Sequence, residues 1–232
     1  MSQTDRFGLP VGAPVATELP RPRPPSAPMA GRFCSLRPAL PEDAEELFAA
    51  YAEEDGRNWT YLPQEKPRDL GEMRARLETM AASEDPLYHS VLDAEGRAVG
   101  TCSYLRITPE AASLEVGWIS FSPRLQRTVM STEAMHLMMA RAFDELGYRR
   151  YEWKCDALNA PSRAAAARLG FTYEGTHRQA TVVKGRNRDT AWFSVLDSEW
   201  PVLRAAFAGW LAPENFDAEG RQIARLESFR AG

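Results

Sequence analysis

The stretch that decides the fold runs from residue 114 to residue 171 and reads LEVGWISFSPRLQRTVMSTEAMHLMMARAFDELGYRRYEWKCDALNAPSRAAAARLGF. Residues 114–121 predict a strand. Residues 132–146 predict a helix, because their apolar side chains recur at helical spacing. Residues 150–156 alternate apolar and polar side chains, which is typical of a half-buried strand, and residues 159–169 predict a short helix closed by a glycine. The stretch therefore indicates two strands and two helices in alternation.

The flanking sequence adds strands and helices on both sides of this stretch. Upstream, the patterns predict a strand over 32–37, a helix opening at Pro41, a helix over 69–82 and strands over 87–92 and 98–107. Downstream they predict a hairpin of 171–181 with 189–196, and a last helix that begins near Glu199. The mixture of hairpins and β-α-β connections predicts an α/β protein with helices on both faces of one sheet.

Composition excludes several classes of function. The chain has 232 residues and a formal net charge of -4, which argues against a general nucleic-acid binder. Cys34, Cys102 and Cys155 are widely spaced, so we expect neither a disulfide framework nor a zinc site, and no other metal site is indicated. No apolar run resembles a membrane span or a secretory signal. These features favour a cytoplasmic protein that does not bind membranes.

Three segments follow from changes in composition. Residues 1–30 are rich in proline, residues 31–198 carry the predicted strands and helices of the core domain, and residues 199–232 are predicted to form a helical C-terminal extension. Prolines exclude a helix or a central strand from the first segment. Two interpretations of it are open: a disordered tail, or an extended arm that packs on its own domain or on a partner.

Three motifs in a fixed order carry a family resemblance. Glu115-Val116-Gly117 opens a strand, T-E-A at 132–134 starts a helix, and N-x-x-S at 159–162 precedes R-L-G-F at 168–171. This order resembles the GNAT superfamily of N-acetyltransferases, and in particular its ribosomal-protein alanine acetyltransferase branch. The resemblance covers roughly residues 32–197. It implies a mixed, mostly antiparallel central sheet with helices on both faces, in which two parallel strands diverge into a V-shaped gap.

The turn before residue 132 is a candidate phosphate site. A helix start presents free backbone N–H groups and partial positive charge, which suit a pyrophosphate. An ordinary strand-to-helix turn with capping hydroxyls is the other interpretation. The resemblance implies that acetyl-CoA is the co-substrate, with its pyrophosphate at this turn and its pantetheine arm beside Asn159. The predicted cofactor-binding residues are Phe121, Gln126, Arg127, Val129, Met130, Ser131, Thr132 and Asn159.

Glu115 and Ser162 are the catalytic candidates that the resemblance implies. A carboxylate can take the proton of an attacking amine, and a hydroxyl can protonate the departing thiolate. Glu115 could instead be a solvent-facing strand residue, and Ser162 could simply occupy the first turn of its helix. By simple alternation Glu115, Gly117, Ile119 and Phe121 share one face of their strand. The resemblance also implies a bulge in this strand, which would change that alternation.

The predicted function is acetyl transfer from acetyl-CoA to a primary amine by direct attack. The acceptor could be a protein N-terminus or a small amine such as an antibiotic, and the enzyme could be a homodimer. The family turn has glycine or alanine where this chain has Val129 and Ser131, so a non-catalytic module that binds coenzyme A or a partner is the alternative. The basic hairpin 178–188 is either a solvated turn or a lip over an acidic acceptor. Tyr104, Tyr173 and Trp192 either wall the acceptor site or belong to the core.

Overall fold

The computed structural model describes residues 3–230. The strands are β1 (Gln3–Thr4), β2 (Pro10–Val11), β3 (Met29–Ala30), β4 (Ser35–Pro38), β5 (Leu87–Leu92), β6 (Ala98–Thr108), β7 (Ser113–Phe121), β8 (Arg150–Asp156), β9 (Thr172–Val183) and β10 (Arg186–Leu196). The α-helices are α1 (Ala44–Ala52), α2 (Leu70–Ala81), α3 (Val129–Ala140), α4 (Ala160–Leu169) and α5 (Trp200–Leu211). Short 3-10 helices cover Pro41–Asp43, Arg57–Trp59, Pro213–Asn215 and Leu226–Phe229, and a π-helical turn covers Arg141–Glu145.

One sheet organises the domain, with strand order β3-β4-β5-β6-β7-β8-β10-β9. The β7–β8 pair is parallel, and the other neighbours are antiparallel. A separate two-stranded ribbon joins β1 to β2. The predicted mixed, mostly antiparallel sheet is therefore confirmed.

The parallel pair separates partway along its length. Ser113 to Val116 of β7 pair with Arg150 to Trp153 of β8, and no pairing continues beyond Val116 and Trp153. Further along, β7 stays paired with β6 through Phe121, and β8 stays paired with β10 through Asp156. The two strands thus diverge, and the backbone groups of residues 117–121 that point away from β6 face the gap. This confirms the predicted V-shaped opening.

A bulge in β7 lies at the start of the gap. Gly117 pairs with Ser103 and Ser120 pairs with Thr101, so two residues of β7 oppose the single residue Cys102. Trp118, one of the two, has a left-handed φ of 48°. The expected bulge is therefore present, and the simple alternation through Phe121 is wrong because the extra residue reverses it.

The bulge places Trp118 on the same face of the sheet as Gly117, its neighbour in sequence, and so reverses the alternation of the residues that follow. Trp118 packs with the core formed by α1 and α2, whereas Ile119 and Phe121 pack with the core formed by α3, α4 and α5. Glu115 and Gly117 alternate with the buried Leu114 and Val116, which belong to the α3 side. Glu115 and Trp118 consequently share the face that α1 and α2 cover in part, which confirms helices on both faces.

Helix α3 begins three residues earlier than predicted. Its N-cap is Thr128, whose backbone is extended at φ −101° and ψ 168°, and the first helical residue is Val129. The expected start at Thr132 is wrong because Val129 and Met130 pack against the main core and extend the apolar face by one turn. Thr132 therefore lies at the fourth helical position.

The N-terminal segment is an extended arm on its own domain. Arg21 donates to the carbonyl of Leu146 at 2.7 Å, and Arg141 donates to the carbonyls of Ala27 and Pro28 at 2.6 and 2.7 Å. Met29 is buried at the end of the arm. Of the two interpretations, the packed arm is confirmed for residues 21–30.

The C-terminal segment packs on α3. The ring of His136 in α3 stacks against Trp200 and Phe207 of α5, with ring centroids 5.9 and 5.0 Å away. Leu226, beyond α5, is also buried in the main core. Contacts thus join the arm, the central sheet and the C-terminal helix, while the proposed limits at residues 30 and 198 stay a prediction.

Candidate active site

The turn between β7 and α3 presents a helix start with no side-chain cap. The Thr128 hydroxyl donates to the carbonyl of Leu125 at 2.7 Å and so is turned away from the helix. In contrast, α2 and α4 are capped by Asp69 and Asn159. The first N–H groups of α3 therefore have the geometry and partial charge of an anion site at one end of the gap.

The predicted phosphate ligands differ in what their side chains do. Gln126 donates from Nε2 to the carbonyl of Phe121 at 2.7 Å, and Ser131 donates from Oγ to the carbonyl of Thr128 at 2.8 Å. The Thr132 hydroxyl accepts from Arg168 at 2.9 Å. Arg127 is exposed, with a φ of 60°. The structure brings these residues together around the helix start, and several of their side chains are engaged in holding the turn.

Asn159 and Ser162 lie at the start of α4, next to the end of β8. The Asn159 Oδ1 accepts from the backbone N–H of Ser162 at 3.1 Å, which is a helix cap. The Ser162 hydroxyl oxygen accepts from the indole N–H of Trp153 at 3.0 Å. Because Trp153 is the last residue of β8 that pairs with β7, Ser162 is tied to the point where the gap opens.

The three cysteines are all free and buried. Burial raises the pKa of the Cys102 thiol to about 12. Burial likewise raises the pKa of Cys155, although the nearby Ser162 hydroxyl opposes this shift. Because a thiol reacts as its thiolate, these groups are poorly suited to form an acyl-enzyme near neutral pH.

Glu115 lies on the opposite face of the sheet from Ser162 and is 6% exposed. Its Oε2 is 3.0 Å from the Lys154 ammonium and 3.8 Å from Nε of Arg106. Burial raises the pKa of the Glu115 carboxyl, and the charge of Lys154 acts against that shift. A carboxylate with a raised pKa beside a strand opening is suited to take a proton from an amine.

The bulge in β7 borders a tight, mostly apolar pocket between the sheet and the α1–α2 connection. The pocket is lined on the helical side by Tyr51 and Trp59 and on the sheet side by Trp118 and Ser120. The Tyr51 hydroxyl donates to the carbonyl of Ser120 at 2.9 Å, which fixes α1 against the bulged strand. Glu115 and this pocket share one face, so an amine on that face would approach the gap from the side of α1 and α2.

The basic hairpin reaches the same region. Lys184, at its two-residue turn, donates to the carbonyl of Trp59 at 2.8 Å and pairs with Glu65 at 3.1 Å. The hairpin tip therefore contacts the α1–α2 connection rather than standing free in solvent. The acidic group that it meets is the chain's own Glu65.

The three aromatic candidates have different surroundings. Tyr104 is fully buried and donates to the carbonyl of Met138 at 2.7 Å, so it belongs to the core. Tyr173 is 48% exposed on the outer strand β9. Trp192 lies under the Lys154 ammonium, 3.6 Å from its ring centroid, and on the same face as Glu115. Of the three, Trp192 is the one that contacts Lys154, the ion-pair partner of the candidate base.

Sequence reasoning missed Lys154 as a site residue. The predicted alternation of residues 150–156 already placed Lys154 on the same face of the strand as Glu152. The family resemblance implied a parallel pair of strands, but nothing in the sequence revealed the register that places Glu152 directly opposite Glu115. A lysine within an otherwise half-buried strand was the signal that could have drawn attention to it.

Residues 3–230 contain neither a metal-binding cluster nor a membrane-spanning helix. No three His, Cys, Asp or Glu side chains there lie together in a way that could hold a metal ion. In the same residues, no helix has the length and apolarity required to cross a membrane.

Comparison with known proteins agrees with this geometry. Residues 34–172 match the family model described as an acetyltransferase (GNAT) domain. A crystal structure of a GCN5-related N-acetyltransferase from Brucella melitensis is 46% identical, with a TM-score of 0.91 over 93% of this chain and 99% of that one.

Two further relatives concern ribosomal proteins. YdaF of Bacillus subtilis, named provisionally as a ribosomal N-acetyltransferase, is 29% identical over 107 residues, which are 46% of this chain and 57% of that protein. The Salmonella typhimurium enzyme described as modifying the N-terminal serine of ribosomal protein L7/L12 is 18% identical, with a TM-score of 0.64 over 73% of this chain and 98% of its own. The second likeness shows a shared fold.

Proposed function

This chain belongs to the GNAT family of acetyltransferases, and from that premise we propose that it moves an acetyl group from acetyl-CoA to a primary amine by direct attack. Membership makes it an acyl-CoA-dependent acyltransferase. The observation that carries the proposal is the divergence of β7 and β8 beyond Val116 and Trp153. The opening has an uncapped helix start at one end, Ser162 beside one strand and Glu115 on the other.

The co-substrate is held by backbone as much as by side chains. The first N–H groups of α3 bind the pyrophosphate of acetyl-CoA. Arg127, which is exposed and lies two residues before the start of α3, is the nearest cationic side chain in sequence. Gln126 and Ser131 keep the turn in shape through their bonds to Phe121 and Thr128. Val129 replaces a family glycine, but its side chain packs against the main core, so the helix start is not covered.

The reaction forms one bond and breaks one. The amine nitrogen attacks the thioester carbonyl carbon, the carbon–sulfur bond breaks, and coenzyme A leaves. Glu115 takes the proton that the amine releases, directly or through water, and returns it to solvent after the reaction. Ser162 gives its hydroxyl proton to the departing thiolate and regains one from water. The free backbone groups of residues 117–121 stabilise the charge that develops on the carbonyl oxygen.

The acceptor enters from the face that carries Glu115 and Trp118. Lys184 joins the hairpin tip to Trp59 over this face, so the acceptor is either a small amine or a narrow chain end such as a protein N-terminus. The name of YdaF, a ribosomal N-acetyltransferase, favours an amine on a protein as the acceptor. Lys184→Ala removes the hydrogen bond between the hairpin tip and Trp59, so activity toward bulky acceptors should rise relative to activity toward small ones.

Calorimetric titration with acetyl-CoA and with coenzyme A tests the proposal first. We expect binding in the micromolar range, weakened in Asn159→Ala, which removes the α4 cap, and in Gln126→Ala, which releases the turn. Glu78→Gln, an exposed change on α2, is the matched control. A screen of amines and N-terminal peptides by thiol release then measures transfer.

The second candidate function is a module that binds coenzyme A without transfer, and Val129 and Ser131 are its motivation. Binding of coenzyme A with no thiol release for any acceptor would favour it. No binding up to millimolar acetyl-CoA would overturn both candidates, and restoration of binding in the double variant Val129→Gly with Ser131→Gly would locate the defect in the turn.

A further inference from the structure

Lys154 lies between two carboxylates in the part of the sheet that carries the candidate base. Its ammonium is 3.0 Å from Oε2 of Glu115 and 2.6 Å from Oε2 of Glu152. The Lys154 and Glu115 side chains are only 6% and 8% exposed, and that of Glu152 is 14% exposed. An ammonium this shielded from water, with the buried Glu115 on one side and the partly buried Glu152 on the other, is not an ordinary surface ion pair.

The position of Lys154 follows from the strand register. Glu115 and Glu152 stand directly opposite each other across the parallel pair, so their like charges would repel. Lys154 comes two residues after Glu152 and therefore points to the same face, one step past the last paired residue, Trp153. Its ammonium crosses to Glu115 at the level where the gap begins.

The remaining charges around Glu115 cannot replace Lys154. From β6, Arg106 approaches Glu115 to 3.8 Å, but its side chain is 61% exposed, so water screens its charge. From β8, Glu152 adds a like charge, and Arg150 is divided between Glu152 and Glu174 of β9. From β10, Trp192 contributes only its ring, which lies 3.6 Å from the Lys154 ammonium and 5.6 Å from the Arg106 guanidinium, and His177 of β9 stacks on that ring at 4.4 Å.

We propose that Lys154 is a positioning residue that keeps Glu115 ionised and aimed at the gap. The inference rests on the proposed role of Glu115 as the base. Burial alone would favour the neutral carboxyl, which cannot accept a proton from the amine. Lys154 opposes that effect through its ion pair with Oε2 of Glu115, and the ring of Trp192 packs against the same ammonium.

Substitutions of opposite effect separate this role from a general contribution to folding. In Lys154→Met, loss of the nearest cation should raise the titration midpoint of Glu115 by roughly one pH unit or more. In Lys154→Arg, a cation remains and the midpoint should stay near that of the wild type. In Glu152→Gln, loss of the like charge should lower the titration midpoint of Glu115. This variant also tests the proposal if Lys154→Met does not fold.

The experiment has two readouts. The first follows the 13C carboxyl signals of selectively labelled glutamate against pH, with Glu115→Gln to assign the Glu115 signal. The second is the acidic limb of kcat/KM for the same variants with a small-amine acceptor. We expect both to move together, upward in Lys154→Met and downward in Glu152→Gln.

Each outcome has a separate meaning. A Glu115 signal that titrates at the same pH in wild type, Lys154→Met and Glu152→Gln would overturn the role of Lys154. A signal that shifts as expected, with an acidic limb that does not follow it, would retain Lys154 as the residue that ionises Glu115 and would instead remove Glu115 as the base.

Discussion

The indole N–H of Trp153 donates to the hydroxyl oxygen of Ser162 over 3.0 Å, across the step from β8 to α4. One lone pair of the hydroxyl is thereby engaged, and this bond does not use the hydroxyl proton. The cap of α4 uses the backbone N–H of Ser162 instead of the hydroxyl. The hydroxyl is thus oriented by the sheet and is not required by the helix.

Replacement of Ser162 by alanine should therefore affect turnover more than stability. Without the hydroxyl, the departing thiolate has no proton donor from this residue, and we expect kcat to fall about 100-fold with little change in KM. Thiol release at saturating acetyl-CoA measures this effect, and thermal unfolding checks that the fold is retained. Trp153→Phe, which removes the orienting bond and part of a buried ring but keeps the Ser162 hydroxyl, should give a smaller fall. A Ser162→Ala enzyme with normal kcat would reduce Ser162 to a helix-start residue.

Replacement of Glu115 by glutamine should remove the acidic limb of the pH–rate profile. The base is competent when ionised, so the rate falls as pH drops through the pKa of Glu115, which burial raises above the usual glutamate range. In Glu115→Gln, we expect a rate about 100-fold lower on the plateau and no limb from this group. Glu110→Gln, an exposed change in the turn between β6 and β7, is the control. A limb that persists unchanged in Glu115→Gln would assign it to another group.

Local patterns predicted most of the elements closely. The strand over 87–92 has the predicted bounds, and α2 differs from its prediction by one residue at each end. Asp69 is the N-cap of α2 and accepts from the N–H of Glu72, which is a signal contained in four consecutive residues. Where structure depends on neighbours in sequence, the sequence was sufficient.

Features that depend on pairing between distant strands were harder to predict from residues alone. The bulge at Trp118 arises from the register of β7 against β6 and reverses the alternation of Ile119 and Phe121. The T-E-A motif indicated a helix start, but the carboxylate of Glu133 accepts a hydrogen bond from the backbone N–H of Phe33, which lies 100 residues earlier in the sequence. The ammonium of Lys154 likewise meets Glu115 only because two strands lie parallel.

His89 should make the fold sensitive to mild acid. It is fully buried on β5, its ring lies 5.7 Å from that of Tyr104, and burial together with the charge of Arg141 lowers its pKa to about 4. As pH falls below the ordinary value of 6.5, the unfolded chain binds a proton that the folded chain refuses until about pH 4. Stability is therefore lost over this window, by roughly 3 kcal/mol in total.

Urea unfolding between pH 7 and pH 4 measures this loss. In His89→Gln, the part of the pH dependence due to His89 should disappear, whatever the change costs at neutral pH. His177→Gln alters an exposed histidine and should keep the wild-type slope. Equal slopes in wild type and His89→Gln would show that other groups cause the acid sensitivity.

Glu133 should be the residue that holds the N-terminal arm where it enters the sheet. Its carboxylate accepts from the backbone N–H groups of Arg32, Phe33 and Cys34 at 2.8, 2.6 and 2.8 Å. Gly31 passes so close that an added Cβ would lie 2.5 Å from the carboxyl group. The buried carboxylate therefore replaces strand partners for three donors that have to be satisfied.

In Glu133→Gln, the amide NH2 group would face backbone donors that now meet a carboxylate oxygen. We expect the free energy of unfolding to drop by about 2 kcal/mol or more, and exchange of the amide protons of residues 32–34 to accelerate. Gly31→Ala should have the same direction of effect because it displaces the carboxyl group. Glu78→Gln on the exposed side of α2 should stay within about 0.5 kcal/mol of the wild type. Unchanged exchange at residues 32–34 in Glu133→Gln would mean that the arm is held by its arginine contacts instead.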